Sequence, residues 1–317
     1  MQALHYKDVV LVPKYSDLNS RSLADTSTKL GKFTFKTPVV PSNMKCTIDI
    51  KTARTLSQND YFYIMHRFDV DTVEFVRLAN YEGWKLISIS VGVNSTDVKI
   101  MEDLYVAGHR VDFITVDIAH GHHVKMKNML TYLQKFRERG VQIIAGNIVT
   151  KEAALDLIKW GADIVKVGIG QGYVCTTKDK TGFTMPMFTC VNKMYIHVPI
   201  IADGGIRCNG DIAKAIVAGA SMVMCGSMFA RLSDSPSATF KDPHTGETLK
   251  EYYGSASFYT KGHNKNIEGK RELIDADPRT YLEKQQEIQE DLQSAISYAG
   301  GKQLEDLRKV EYLQQNS

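Results

Sequence analysis

Residues 113–170 read FITVDIAHGHHVKMKNMLTYLQKFRERGVQIIAGNIVTKEAALDLIKWGADIVKVGIG. Three short runs in it, FITVDIA (113–119), QIIAGNIV (142–149) and IVKVGIG (164–170), are nearly continuous in apolar residues, as parallel strands buried on both faces are. Between them, HVKMKNMLTYLQKFRERG and KEAALDLIKWGA bring apolar residues back at intervals of three and four, with glycine at or near the end, the pattern of amphipathic helices. The stretch alternates strand and helix, and parallel neighbours need such crossovers.

The same runs recur on either side. TPVVPSNM (37–44), YFYIMH (61–66) and LISISVG (86–92) precede the stretch, and PIIADGG (199–205) and MVMCGS (222–227) follow it. Another helical pattern, TDVKIMEDLYVAGHR, lies between LISISVG and FITVDIA. Eight strand-helix units predict an α/β protein with a (β/α)8 TIM barrel. A doubly wound sheet is the alternative, but it wants a Gly-x-Gly-x-x-Gly after its first strand, and none occurs there. Beyond the eighth strand, residues 231–272 hold a Pro/Gly hairpin (KDPHTGETLKEYYGSAS) and a polar, glycine-broken segment, which predicts a mobile lid over the barrel mouth. TYLEKQQEIQEDLQSAISYAG then supplies a last helix before a short polar tail. No repeat of solenoid length interrupts the chain, so residues 1–317 are expected to form one domain.

Composition sets the chemistry such a barrel can serve. With 39 Lys and Arg against 36 Asp and Glu, the net charge of +3 gives no general attraction to nucleic acid or membranes, and a small anionic ligand suffices. The five cysteines, Cys46, Cys175, Cys190, Cys208 and Cys225, are odd in number and form no Cys-x-x-Cys pair, so neither a disulfide framework nor a zinc site is expected. The chain carries no apolar signal segment and no window of about 18 apolar residues. The expectation is a cytoplasmic enzyme.

A barrel of this kind works at the carboxyl ends of its strands, and here those ends are polar. Asn43 ends the first run, His66 and Arg67 the second, Asp117 the fourth, Asn147 the fifth, Asp203 the seventh and Ser227 the eighth. Asp203-Gly204-Gly205 and Gly226-Ser227 follow strands seven and eight, where bare backbone N–H groups suit a phosphate. Asp203 would then accept hydrogen bonds from ribose hydroxyls, or else only stabilise a tight turn. The loop KVGIGQGYVCTT (166–177) has two readings of its own. Its glycines and Cys175 make either a chain reversal with a small core residue, or an anion-binding loop beside a thiol nucleophile.

Taken together, SNM (42–44), DIAHG (117–121), AGNIVT (145–150), VGIGQGYVCTTKDKTG (167–182), IIADGG (200–205), YGSAS (253–257) and IEGK (267–270) resemble the IMP dehydrogenase and GMP reductase family over nearly the whole chain. The reductase branch is the better match. IMHRFDVDTVEFVRLA runs on without the regulatory insertion common in the dehydrogenases, and no Arg-Tyr pair of dehydrogenase type occurs between 254 and 300. The resemblance implies reduction of GMP by NADPH to IMP and ammonia. Its alternatives are an IMP dehydrogenase, a reductase of a modified purine nucleotide, and a nucleotide-binding barrel without turnover.

The resemblance also implies roles. Cys175 would be the nucleophile, with Thr177 and Glu268 handling protons. Asp203, Gly204, Gly205, Gly226, Ser227, Gly254, Ser255, Ala256, Lys265, Glu268 and Gly269 would surround the nucleotide. Ser20, Arg21, Arg67, Asp117, Ile118, Ala119, Ile169, Gly170, Lys265, Ser294 and Ser297 would meet NADPH. Gly170, Gly172, Cys175 and Lys178 match a site for a monovalent cation such as potassium, and the family's homotetramer is the expected assembly. Four positions depart from the family pattern: Gln171 stands where proline is usual, Tyr173 where a serine or other short or polar residue is, Lys45 where aspartate is, and Ser255 where methionine is. Tyr173 must either turn outward or fill part of the nucleotide pocket.

Overall fold

The computed structural model describes residues 3–263, 265 and 267–315. Seven parallel strands curl round a common interior: β1 Val39–Pro41, β2 Ser88–Val91, β3 Phe113–Asp117, β4 Gln142–Ile148, β5 Ile164–Val167, β6 Ile200–Asp203 and β7 Met222–Cys225. Their spatial order is β1-β7-β6-β5-β4-β3-β2, so the sheet returns almost to its start. Residues 61–66 fill the gap between β1 and β2 and complete the (β/α)8 barrel. The regular strand expected there is reduced to one parallel bridge, Met65 to Ile89, with the Met65 N–H donating to Ser88 O at 3.1 Å. Side chains hold the segment instead. Tyr63 donates to Leu86 O at 2.9 Å, and the Phe62 ring lies 5.0 Å from Phe35 and 5.1 Å from Phe113.

The strand runs are buried because helices cover them outside and other strands face them inside. Ser88–Val91, Ile164–Val167 and Met222–Cys225 are buried at every position. The covering helices begin and end where the sequence provides caps. Asp71 accepts the Glu74 N–H before helix Thr72–Tyr81, and Thr150 accepts the Ala153 N–H before helix Lys151–Trp160. Each such cap contributes about 1 kcal/mol. Gly108 ends helix Ser95–Ala107, and Gly161 ends Lys151–Trp160, both in the left-handed region. The helix expected over 123–140 divides at Leu133 into Val124–Tyr132 and Gln134–Arg137.

Segments before and after the barrel strands pack on it at different places, and only the first closes its amino end. The hairpin Thr28–Leu30 with Phe33–Phe35 brings Phe33 to 5.5 Å from Phe113. Strand Val9–Leu11 pairs antiparallel with Tyr312–Gln314, so the segment after helix Tyr281–Tyr298 returns to the barrel and is not a free polar tail.

At the carboxyl end, the expected hairpin gains a third strand. β8 Thr239–Lys241, β9 Thr248–Tyr253 and β10 Arg271–Asp275 form an antiparallel flap whose last strand runs past the expected limit of 272. Asn264 and Asn266, within the expected lid, lie outside the described residues. Under the flap sits a small separate core of Cys46, Val174, Ala230, Tyr252 and Ile274. Val174 immediately precedes Cys175, so this core ties the glycine-rich loop to the flap. Among the described residues no helix is long and apolar enough to cross a membrane.

Candidate active site

The floor of the barrel mouth is a charged network. Lys166 on β5 is the one charged residue in an otherwise apolar run, and its ammonium lies 2.7 Å from Asp203 Oδ2 and 3.1 Å from Asp117 Oδ1. Asn43 donates to Asp117 Oδ2 at 2.7 Å, and Asn147 donates to Asp203 Oδ2 at 2.8 Å and to Gly168 O at 2.6 Å. Burial alone would raise the Asp117 carboxyl, but Lys166 and the Asn43 amide outweigh it and hold it below the usual carboxylate range. Burial would likewise lower the Lys166 ammonium, and the two carboxylates outweigh it and raise it. Asn147 Oδ1 is buried with no hydrogen-bond partner and lies beside the cavity, so a ligand N–H or hydroxyl would satisfy it.

Above this floor, residues 172–177 pack as an extra edge on the flap. Cys175 forms an antiparallel bridge with Gly269; the Thr176 N–H donates to Glu268 O at 2.8 Å and the Lys270 N–H to Val174 O at 2.9 Å. That register brings three side chains into line. The Cys175 thiol donates to Thr177 Oγ1 at 3.2 Å, and the Thr177 hydroxyl donates to Glu268 Oε2 at 2.5 Å. Loop and flap thus form a proton path from a thiol to a carboxylate at the edge of a cavity of about 370 Å³.

Two glycines make this arrangement sterically feasible. Gly168 has φ +139°, and a Cβ there would come within 2.0 Å of Asp203 O. A Cβ on Gly226 would come within 2.1 Å of the Tyr252 hydroxyl.

A family profile described as the IMP dehydrogenase / GMP reductase domain matches residues 3–317. The chain belongs to that family. Proteins named GMP reductase are similar along their whole lengths. Those of Acidovorax sp. (strain JS42) and Leptothrix cholodnii are each 47% identical over 317 residues, covering 99% of this chain and 96% of the relative. That of Mesoplasma florum is 46% identical over 319 residues, covering 99% of this chain and 98% of the relative.

Most positions matched to the IMP dehydrogenase and GMP reductase family line one and the same cavity. Asp203, Gly204, Gly205, Gly226, Ser227, Gly254, Ser255, Ala256, Glu268 and Gly269 do so with Cys175 and Thr177. Arg67, Asp117, Ile118, Ala119, Ile169 and Gly170 line it too. The Gly205 N–H is already bonded to Gln171 O at 3.1 Å, so Gly205 contributes close approach rather than a free donor.

Other matched residues lie elsewhere. Arg21 and Ser294, joined at 3.1 Å, line a different hollow along helix Tyr281–Tyr298; Ser20 caps the short turn Arg21–Leu23, and the Ser297 hydroxyl lies 3.5 Å from that of Ser16. Lys265 sits in a flap turn off the cavity, whereas Lys261 lines it. His66 is not brought to the cavity. It is buried, its Nδ1 accepts the Phe68 N–H at 3.2 Å, and burial with the Lys45 charge lowers its pKa to about 4, so it is a neutral structural residue near pH 7.

The four departures from the family pattern are each accommodated differently. Tyr173 is 57% exposed, with its ring 6.2 Å from Tyr252 and the Lys270 ammonium 5.9 Å above it, and it also lines the cavity, so it stands at the cavity's rim. Gln171 donates to Thr184 Oγ1 at 2.6 Å, which fastens the loop, and Lys45 pairs with Asp69 at 2.5 Å. Ser255 lies on the cavity wall. Lys166 and Tyr252 were not among the expected site residues. A lysine inside an apolar strand run was the available signal for the first; nothing local in the sequence marked the second.

Proposed function

We propose that this enzyme is a GMP reductase that converts GMP and NADPH to IMP, ammonia and NADP. The observation that carries the reading is the line from Cys175 through Thr177 to Glu268. Carbon 2 of guanine bears an amine, which leaves only when protonated. In the reading, the sulfur of Cys175 attacks carbon 2 as the thiolate. Glu268 gives a proton through the Thr177 hydroxyl to the amine, which departs as ammonia and leaves a thioimidate on Cys175. NADPH supplies the hydride that carbon 2 needs before the sulfur is released.

Asp203 supports this reading as the ribose anchor. Both hydrogen bonds described for it fall on Oδ2, which leaves Oδ1 for ribose hydroxyls. Backbone N–H groups around Gly204, Gly226 and Ser227 are assigned to the phosphate. Arg67, Asp117, Ile118, Ala119, Ile169 and Gly170 share the cavity with Cys175, which fits the nicotinamide end of the cofactor. Ser20, Arg21, Ser294 and Ser297 are assigned to the cofactor too, and since they lie off this cavity their contact requires a neighbouring copy in a homo-oligomer, a tetramer in this reading. Lys265 is assigned to the closed flap.

The carbonyls of Gly170, Gly172, Cys175 and Lys178 are assigned to a potassium ion bracing the loop. The buried Thr176 hydroxyl, which lacks a hydrogen-bond partner in the same loop, supports an oxygen-seeking ligand there. In this reading the donors are backbone carbonyl oxygens, which suit a hard monovalent cation. Five free thiols suit a reducing cytoplasm.

The test is Cys175→Ala. The purified variant should bind GMP but show no GMP-dependent NADPH oxidation. Turnover near the wild-type rate would remove covalent catalysis from the account.

A further inference from the structure

We propose that Lys166 is a positioning residue that holds Asp117 and Asp203 in their working orientations and so couples the two ends of the cavity. The inference rests on the functional reading above for the identity of the ligands, but its geometry stands apart from it. Lys166 lies on β5, Asp117 at the end of β3 and Asp203 at the end of β6. One side chain therefore spans from the carboxylate assigned to the cofactor end to the one assigned to the ribose.

The lysine is built into the barrel. Its side chain is 3% exposed, whereas those of Asp117 and Asp203 are 24% and 22% exposed, so the cation is sealed beneath two carboxylates that face the cavity. Room for it is made across the strand pair, where Gly146 is its partner in register: a Cβ on Gly146 would come within 2.6 Å of Lys166 Cβ. The attachment is also selective. Lys166 and Asn147 both bind Oδ2 of Asp203, while Lys166 takes Oδ1 and Asn43 takes Oδ2 of Asp117. Each carboxylate is fixed in rotation by a charge and an amide.

Removing one member of a buried charged group leaves the others uncompensated. Without Lys166, Asp117 would face only the Asn43 amide and the more distant Arg67 charge, and Asp203 only the Asn147 amide. Desolvation would then govern Asp117 and drive its carboxyl upward. A residue that served only to fill space would not produce that change.

The experiment compares wild type, Lys166→Met and Lys166→Arg. Aspartate carboxyls are titrated by ¹³C NMR in the ligand-free protein, with Asp117→Asn to assign the Asp117 signal, and GMP and NADP binding are measured by calorimetry. Asp117 should titrate at higher pH in Lys166→Met and stay low in Lys166→Arg. Affinity for both ligands should fall about tenfold or more in the methionine variant and recover in large part with arginine. Should Lys166→Met not fold, Lys166→Gln takes its place, and Lys166→Arg still reports whether charge suffices. A folded neutral variant with unchanged Asp117 titration would overturn the inference. If GMP does not bind wild type, the functional reading fails, while the titration still decides the role of Lys166.

Discussion

Glu268 separates the two halves of the proposed reaction. Its carboxylate receives the Thr177 hydroxyl, which receives the Cys175 thiol, so it is placed to serve the amine's departure and has no evident part in hydride transfer. Glu268→Gln keeps the shape and removes the acid. GMP reduction should fall by about 10²–10⁴, the usual cost of losing a positioned proton-transfer group. With IMP and NADP the same variant should still give a burst of reduced cofactor near one equivalent per site, read by absorbance, because that half-reaction needs only Cys175 and the nicotinamide. Loss of both activities in a folded, nucleotide-binding protein would contradict the assigned role. At this scale the sequence was informative only through whole motifs. Spacing alone left Cys175 open between core filler and nucleophile, because its neighbour Glu268 is remote in the chain and comes into reach through flap pairing.

Among the elements, the loop after β5 depends on the tightest packing. Gly168 adopts φ +139° with Asp203 O where a Cβ would stand, so Gly168→Ala must displace the end of β6 or the loop itself. The expected result is a stability loss of about 1–3 kcal/mol by denaturant unfolding, with weaker GMP binding because Asp203 moves. A variant as stable and as tight-binding as wild type would count against this packing. Seven of the eight strand runs were legible because continuous apolar stretches of that length have few other uses. YFYIMH was misread in its pairing, since its aromatics are held by Leu86, Phe35 and Phe113 rather than by a ladder. β10 and the pairing of Val9–Leu11 with Tyr312–Gln314 escaped notice because strands of three to five residues are too short to show a period and find their partners away from their sequence neighbours.

For the molecule as a whole, the barrel concentrates its polar residues at one end and its aromatic plug at the other. Phe33, Phe35, Phe62 and Phe113 close the amino end, while the three-stranded flap and loop 166–177 enclose the carboxyl end. The residues assigned to the nucleotide and to the nicotinamide end of the cofactor line one cavity at that end, so in the proposed reading the two ligands meet there. The most direct test mixes purified protein with GMP and NADPH, follows the reduced-cofactor absorbance, and assays IMP and ammonia in the same sample. The account predicts that NADPH oxidation depends on GMP and that IMP, ammonia and NADP appear in equal amounts. GMP binding without NADPH oxidation, or oxidation without ammonia release, would contradict it.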